Sequence, residues 1–308
     1  MKIAISGASG LVGSDLVPFL AADGHELMRL VRRRPAPGEA AVFWDPAAGT
    51  IDAPGLEGID AVVHLAGESI AETPWTPEKK RRIRDSRVSS TRLLAESLAR
   101  LDRQPAVLVS ASAIGYYGDQ DDESLDETSP PGSGFLAGVC REWEAATESA
   151  ADAGIRVVRM RLGVVLSPKG GVFARTLPLF RYGLGGRLGS GRQYVSWIAI
   201  DDVLGAIRRI LTDDALRGPV NVVSPNPVTN QELTRITASV LRRVAPLPVP
   251  AFVLRMKLGE MADEVVLASA RVFPRRLQAA GHVFRHPELE DTIRWLLLPQ
   301  QESGPHAQ

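Results

Sequence analysis

Cysteine is almost missing from this chain: Cys140 is the only one among 308 residues. A single thiol excludes an intramolecular disulfide and any cysteine-rich metal site, and it fits a reducing compartment, so a cytoplasmic location is expected. Histidine is sparse too, at positions 25, 64, 282, 286 and 306. None falls into a metal-ligand spacing of the HExxH kind, and no metal site is expected. An excess of charge is also lacking, because 36 Lys and Arg balance 36 Asp and Glu. Without a net field, neither nucleic acid, nor an anionic membrane, nor an acidic partner is favoured. No run of about 18 apolar residues is present to span a bilayer, and the opening residues lack the basic-then-apolar pattern of a cleaved leader. What the chain does have is 44% hydrophobic residues, enough to fill one large core or two modest ones.

Those apolar residues fall into alternating strand and helix. "KIAIS" reads as a buried strand, "LVGSDLVPFLAADGH" as a helix ended by Gly24, and "ELMRLV" as a second strand. "AVFWDPAAGTID" looks like a strand with a hairpin-like turn, and "DAVVHLAG" like a buried strand leading into a loop. Residues 77–100 have helical apolar spacing among many charges. "PAVLVSASA" is strand, "FLAGVCREWEAATESAADAG" helix and "IRVVRMRLGVVL" strand. Continuous apolar strands between helices predict a doubly wound parallel α/β sheet of Rossmann type over 1–165 with 200–224. A smaller interleaved lobe is expected from 166–199 and 225–298, with "VAPLPVPAF" as a stiff connector and 299–308 as a flexible tail.

The opening "MKIAISGASGLVG" places Gly7, Gly10 and Gly13 between the first strand and the first helix, where a phosphate-binding turn belongs. Gly7 supplies a tight turn, Gly10 lets main chain approach a diphosphate, and Gly13 lets the helix pack closely. Free N–H groups and the helix dipole then face the phosphates. At the end of the second strand an acidic side chain would take the ribose 2′-OH of NAD, and a basic one the 2′-phosphate of NADP. Here the strand runs into Arg32 and Arg33, with no acid between Leu27 and Gly38. Paired guanidinium donors suit a phosphate, so NADP(H) is the expected cofactor.

Several ordered motifs over residues 1–224 resemble the extended, epimerase-like short-chain dehydrogenases/reductases. "GASGLVG" is similar to their GxxGxxG loop, which implies that Ser9, Leu11 and Val12 join the three glycines at the diphosphate. "HLAG" resembles the fourth-strand motif, placing Leu65, Ala66 and Gly67 by the adenine ribose. "SASAIGYYG" resembles the fifth-strand element that carries Ser110, Ser112 and Tyr117, and "RQYVSWIAIDD" a later element. "RLGVVLSPKGG" is similar to the loop that carries Leu162, Gly163 and Val164 past the nicotinamide, with Lys169 either on its rim or in a plain surface loop, and with Arg192, Gln193 and Trp197 toward the same cleft unless Trp197 is core. Arg87 stands where the family has a supporting Asn, and could contact the nicotinamide-side ribose or phosphates. From about Pro246 the chain resembles the extra domain of an atypical subgroup, the nucleoside-diphosphate-sugar epimerase-like proteins.

One departure is chemical. The family's general acid/base is a Tyr four residues before a Lys, and no such pair exists here; Leu136 and Cys140 occupy those places. Ser112 is then either a hydroxyl donor at a substrate carbonyl or a strand-end Ser satisfying backbone. Tyr117 is either a second acid/base candidate or a packed side chain. Two functions follow: an NADP-dependent oxidoreductase or epimerase-like enzyme acting on a small molecule, or a non-catalytic NADP(H)-responsive binding protein. The helices of 77–100 and 135–154 correspond to those that pair in dimeric relatives, which leaves a homodimer open beside a monomer.

Overall fold

The computed structural model describes residues 1–71 and 75–297. The walk from the N-terminus runs through β1 (Lys2–Ser6), α1 (Leu11–Ala22), β2 (Glu26–Val31), β3 (Ala41–Asp45), β4 (Thr50–Ile51) and β5 (Ala61–His64). It continues with α2 (Pro77–Ala99), β6 (Val107–Ala113), α3 (Phe135–Ala145), β7 (Arg156–Leu162), α4 (Ile200–Thr212), β8 (Gly218–Val222) and α5 (Asn230–Val240). Apolar, β-branched runs make the strands, and caps delimit the helices. Thr76, for example, accepts from the Lys79 N–H at 3.2 Å just ahead of Pro77, a residue suited to a first helical position.

These strands form one sheet in the order β8-β7-β6-β5-β1-β2-β3-β4. All neighbours are parallel except β4, which returns antiparallel along β3 as the hairpin pattern predicts. The chain winds outward from β1 to β3 and then crosses back to β5, so its direction reverses between β1 and β5. Open α/β sheets bind ligands outside the carboxyl ends of the strands at such a reversal. One face of the sheet packs Leu16, Leu20, Val203 and Ile207 from α1 and α4 against Ile3, Val63 and Met160. The other packs Leu94 and Leu98 of α2 against Ala4, Val62 and Leu108. The doubly wound reading of the sequence is what the structure shows.

Two elements differ from expectation. The single helix expected from Phe135 onward is two, because the chain breaks at Ala146 and Thr147 before a short helix at Glu148–Asp152. The Thr147 hydroxyl donates to the Glu144 carbonyl at 2.7 Å, offering the backbone an alternative to helix continuation. The single strand "IRVVRMRLGVVL" also divides, at Gly163. Gly163 N–H still bonds Val222 O (3.1 Å), but Val164 N–H turns to Ser196 O (2.9 Å), and Val164–Leu166 leaves the main sheet to pair with Trp197–Ala199.

The smaller lobe gathers Leu166, Phe173, Leu177, Trp197, Val240, Leu289 and Ile293 into a core of its own. It is not independent of the sheet, since Leu277 enters the main core and Arg271–Val272 pairs with Ser124–Leu125. Another tie is to the start of α3, where Gly134 provides no side-chain cap. The Glu264 carboxylate, from a π-helical turn at Ala262–Leu267, accepts from the N–H groups of Phe135 (2.8 Å) and Leu136 (3.0 Å). Nearby, Lys80 of α2 pairs with Glu260 at 2.9 Å and lies 4.5 Å over the Phe135 ring. A carboxylate at a helix start offsets both unpaired donors and the dipole. Glu264→Ala is therefore expected to lower stability in urea unfolding by about 1 kcal/mol; an unchanged midpoint and slope would show that the cap contributes nothing.

Candidate functional site

At the sheet reversal two backbone turns touch. Gly7 ends β1 at φ +69°, and a Cβ there would sit 2.7 Å from the carbonyl carbon of Leu65, which follows β5. Only glycine accepts both the angle and the contact. Gly13 meets the same turn from above, since its Cβ would fall 2.2 Å from Gly7 O. The close approach expected of Gly13 is thus to the turn itself. Gly10 N–H donates to Gly7 O at 2.9 Å, and Gly10 caps α1 without a side chain. The first-turn N–H groups at Leu11, Val12 and Gly13, which a helix cannot pair internally, receive no side-chain cap. Ser9 and Gly10 are exposed beside them. An uncapped helix start with no side chain in the way fits a diphosphate.

The facing turn, Leu65–Gly67, is held by a buried relay. Ser6 Oγ accepts from the N–H groups of Leu65 (3.1 Å) and Ala66 (3.4 Å), so its own proton goes to His64 Nδ1 at 2.6 Å. His64 must then carry its proton on Nε2, which donates to Thr91 Oγ1 of α2 at 2.9 Å. Trp143 Nε1 of α3 donates to the same hydroxyl at 2.9 Å. One chain of hydrogen bonds thereby connects α3, α2, β5, β1 and the loop expected beside the adenine ribose.

Guanidinium groups flank this crevice. Arg32, after β2, is exposed and makes no hydrogen bond or ion pair among the described residues. Arg33 is committed to Glu39 through both terminal nitrogens, and Arg34 lies over the Phe43 ring at 5.4 Å. Of the two arginines expected to clamp a phosphate, Arg32 is the unengaged one. Arg87 lies under the Leu65–Gly67 turn, its Cζ 3.4 Å from where a Gly67 Cβ would be, and stacks on Trp143 at 5.2 Å. Its NH1 donates to Ile83 O at 3.0 Å, and no carboxylate pairs with it among the described residues. Burial pulls its pKa down. A partly buried, carboxylate-free cation of this kind fits an anionic ligand.

A buried ion pair lies at the ends of β6 and β7. Ser112 and Arg161 are register partners on these strands, and both are buried. Ser112 Oγ donates to Glu144 Oε1 of α3 at 2.8 Å. Arg161 clamps the same carboxylate with Nε and NH2, at 2.8 and 2.9 Å. Its NH1 donates to the Tyr117 hydroxyl at 3.0 Å, and its Cζ lies 3.4 Å over the Tyr116 ring. Burial opposes the Arg161 charge, yet the bonds to Glu144 and Tyr117 hold its pKa above the ordinary value. Glu144 and Arg161 escaped the sequence reading. The available signal was arginine at 156, 159 and 161 in an otherwise apolar strand, where a buried charge must find a partner.

Several expectations meet a different environment. Tyr117 is wholly buried, with Asp126 O (2.9 Å) and Asn221 Oδ1 (2.7 Å) around its hydroxyl, and burial pushes its pKa up to about 12. Its hydroxyl is already taken by these acceptors and by the Arg161 NH1 donor, which makes it a packed strut with no free acid/base position. Cys140, by contrast, is the buried helix thiol that an inert cysteine would be, pushed up by burial to about 12, far from the thiolate a reactive cysteine needs. Trp197 is core, donating to Asn226 O at 3.0 Å, and Gln193 braces the backbone at Leu188 and Val266, so neither faces a cleft. Lys169 is tied to Asp15 of α1 at 2.6 Å. Ser110 is buried, with only a 3.3 Å bond to Ala111 O. Leu162 pairs with Ala113 at the β7 exit, where Gly163 and Val164 turn away.

Topology and turn geometry define the class: a doubly wound α/β protein of the epimerase and short-chain dehydrogenase type. The profile of the "NAD dependent epimerase/dehydratase family" matches residues 3–224, and the chain belongs to that family. Residues 249–296 match a second profile, "Domain of unknown function (DUF1731)". The chain is 44% identical over 291 residues to the Epimerase family protein Mb2239 of Mycobacterium bovis, covering 94% of this chain and 96% of that protein. It is 35% identical to the human Epimerase family protein SDR39U1 over 96% of this chain and 99% of that one. A crystal structure of human SDR39U1 (isoform 2) with NADPH superposes with a TM-score of 0.86 at 32% identity, covering 96% and 99% of the two chains. No helix among the described residues is long and apolar enough to cross a membrane.

The relay through His64 has a pH signature. Burial drives the imidazole pKa from 6.5 down to about 4. As pH falls the unfolded chain takes up this proton first, so the stability tied to neutral His64 is complete above about pH 6.5 and is lost between about 6.5 and 4. The loss should reach a few kcal/mol. His282 is shifted in the same direction, so the measurement is a comparison: denaturant stability from pH 7 to 4.5 should fall less steeply in His64→Gln than in wild type.

Proposed function

We propose that this protein is an NADP(H)-dependent oxidoreductase or epimerase-like enzyme for a small hydroxyl- or carbonyl-bearing substrate, with Ser112 at the reacting oxygen. The observation that carries this reading is the ordered set Ser112, Glu144 and Arg161 at the carboxyl ends of β6 and β7. In it, Gly7, Ser9, Gly10, Leu11, Val12 and Gly13 hold the diphosphate, and Leu65, Ala66 and Gly67 border the adenosine ribose. Arg32 takes the 2′-phosphate, with Arg33 behind it. Arg87, Ser110, Leu162, Gly163 and Val164 lie toward the nicotinamide. Support for NADP over NAD comes from the unpaired Arg32 and from the human relative determined with NADPH.

The bound nicotinamide supplies hydride transfer at a substrate carbon. The chain's own residues manage the proton. Ser112 gives its hydrogen toward Glu144, which leaves its oxygen lone pairs free for a substrate hydroxyl. On oxidation of an alcohol, that hydroxyl proton passes to Ser112 Oγ while the serine proton passes to Glu144; the reverse transfers serve reduction. Arg161 keeps the carboxylate oriented and is a positioning residue, as Leu136 and Cys140 cannot provide the family's Tyr and Lys. The same two residues favour a second reading, an NADP(H)-responsive binding protein without turnover.

One experiment tests the cofactor assignment that both readings share, and a second separates them. Arg32→Glu should weaken NADPH binding by about 10- to 100-fold in calorimetry, the value of a lost charge-assisted contact, while NADH affinity changes little; equal losses for both cofactors would remove Arg32 from the phosphate pocket. Purified protein with NADPH and a panel of carbonyl compounds and nucleotide sugars should show turnover that Ser112→Ala lowers by about 10² or more without changing NADPH affinity. Turnover insensitive to that substitution would rule out Ser112. A fully silent panel would select the binding protein.

A further inference from the structure

A cavity of about 690 Å³ lies in the smaller lobe, between α5, the 187 turn and the proline-rich connector that follows residue 243. Its volume falls within the range of small-molecule sites. None of its lining belongs to the turns around Gly7, Leu65 or Ser112. One wall is apolar and stiff, built from Val244, Ala245, Pro246 and Pro248. The other carries Arg187, Arg235 and Arg243, with no carboxylate in the lining.

These arginines are almost unspent. A guanidinium has five N–H donors. Arg187 uses one on Ser190 O at 2.8 Å, Arg243 uses its Nε on Arg181 O at 2.9 Å, and Arg235 makes no hydrogen bond or ion pair among the described residues. The nearest acid along α5, Glu232, is occupied as a helix cap by the Thr229 N–H (2.8 Å) and hydroxyl (2.9 Å). Arg181 and Arg242, exposed on either side, are without ion pairs among the described residues. Acids and bases balance over the whole chain, so a cavity lining with three arginines and no carboxylate, the capped Glu232 one turn before Arg235 being the nearby acid, is a local separation of charge. Val244 and Leu247 are 71% and 58% exposed at the same place, which leaves apolar surface beside the cations.

We propose that this cavity is a second ligand site, separate from the dinucleotide crevice, for an organic phosphate whose phosphates meet Arg187, Arg235 and Arg243 and whose ring lies on the Val244–Pro248 wall. Several guanidinium groups suit multidentate phosphate. The prolines pre-shape the wall, so a ring can dock with little ordering cost. The proposal does not depend on the cofactor assignment.

ATP is a suitable probe, titrated by calorimetry into protein with and without saturating NADPH. Wild type and Arg32→Glu should bind ATP alike, with and without NADPH. The double variant Arg235→Ala/Arg243→Ala should raise the ATP Kd by at least about tenfold and leave NADPH binding and the thermal midpoint unchanged, since both side chains are exposed. Inorganic pyrophosphate should bind at the same residues more weakly than ATP. The proposal is overturned by absence of ATP binding, by competition from NADPH, by equal ATP affinity in the double variant, or by pyrophosphate binding as tightly as ATP. A failure of NADPH to bind would instead count against the cofactor assignment alone.

Discussion

Everything in the crevice depends on a backbone-to-backbone contact between the exits of β1 and β5. Gly7 has no side chain to hold those turns apart, and the Ser6 hydroxyl ties the Leu65 and Ala66 N–H groups across the gap. Because Ser6 must accept twice, its proton direction is settled, and with it the tautomer of His64 and the role of Thr91. A larger residue at position 7 would separate the strands at the one place where the sheet's winding reverses. The dinucleotide crevice is therefore a consequence of close approach first and of charge second.

Charge becomes decisive one strand further along. Arg161 and Glu144 are buried together, and a buried ion pair is a poor source of net stability because desolvation offsets the attraction. Removing either member alone leaves an unpaired charge and is far more damaging than the pair is helpful. Such an arrangement makes sense where orientation is the gain: two parallel N–H bonds fix the carboxylate plane, which fixes the Ser112 hydrogen. Tyr116, under the guanidinium, and Tyr117, at its far nitrogen, complete the enclosure. The cluster draws its carboxylate from α3, the helix that also carries Leu136 and Cys140.

The sheet was legible because its signals are local. Apolar runs of strand length, helix periodicity and glycine at one turn are each contained within a dozen residues, and together they implied the doubly wound sheet. Misplaced boundaries had distant causes. Nothing near Gly163 announces that Ser196 O will capture the next N–H, and nothing around Ala146 shows that Thr147 will turn on Glu144. Side-chain direction was equally hidden. "YYG" reads the same whether Tyr117 faces a cleft or, as here, Asn221 more than a hundred positions away. Arg32 and Arg33 are adjacent in sequence, and only the fold brings Glu39 to one of them.

The carboxylate of Glu264 lies 129 positions beyond the helix start that it caps. During synthesis, α3 is made well before that residue exists, so it waits with its first amides bare and Leu125 without its partner strand. Contacts this remote in sequence are slow to form and leave partly folded chains open to mispairing. The C-terminal segment is thus a late-arriving clasp on the sheet, and a fragment ending near residue 224 would hold the dinucleotide motifs without the means to finish the helix beside them.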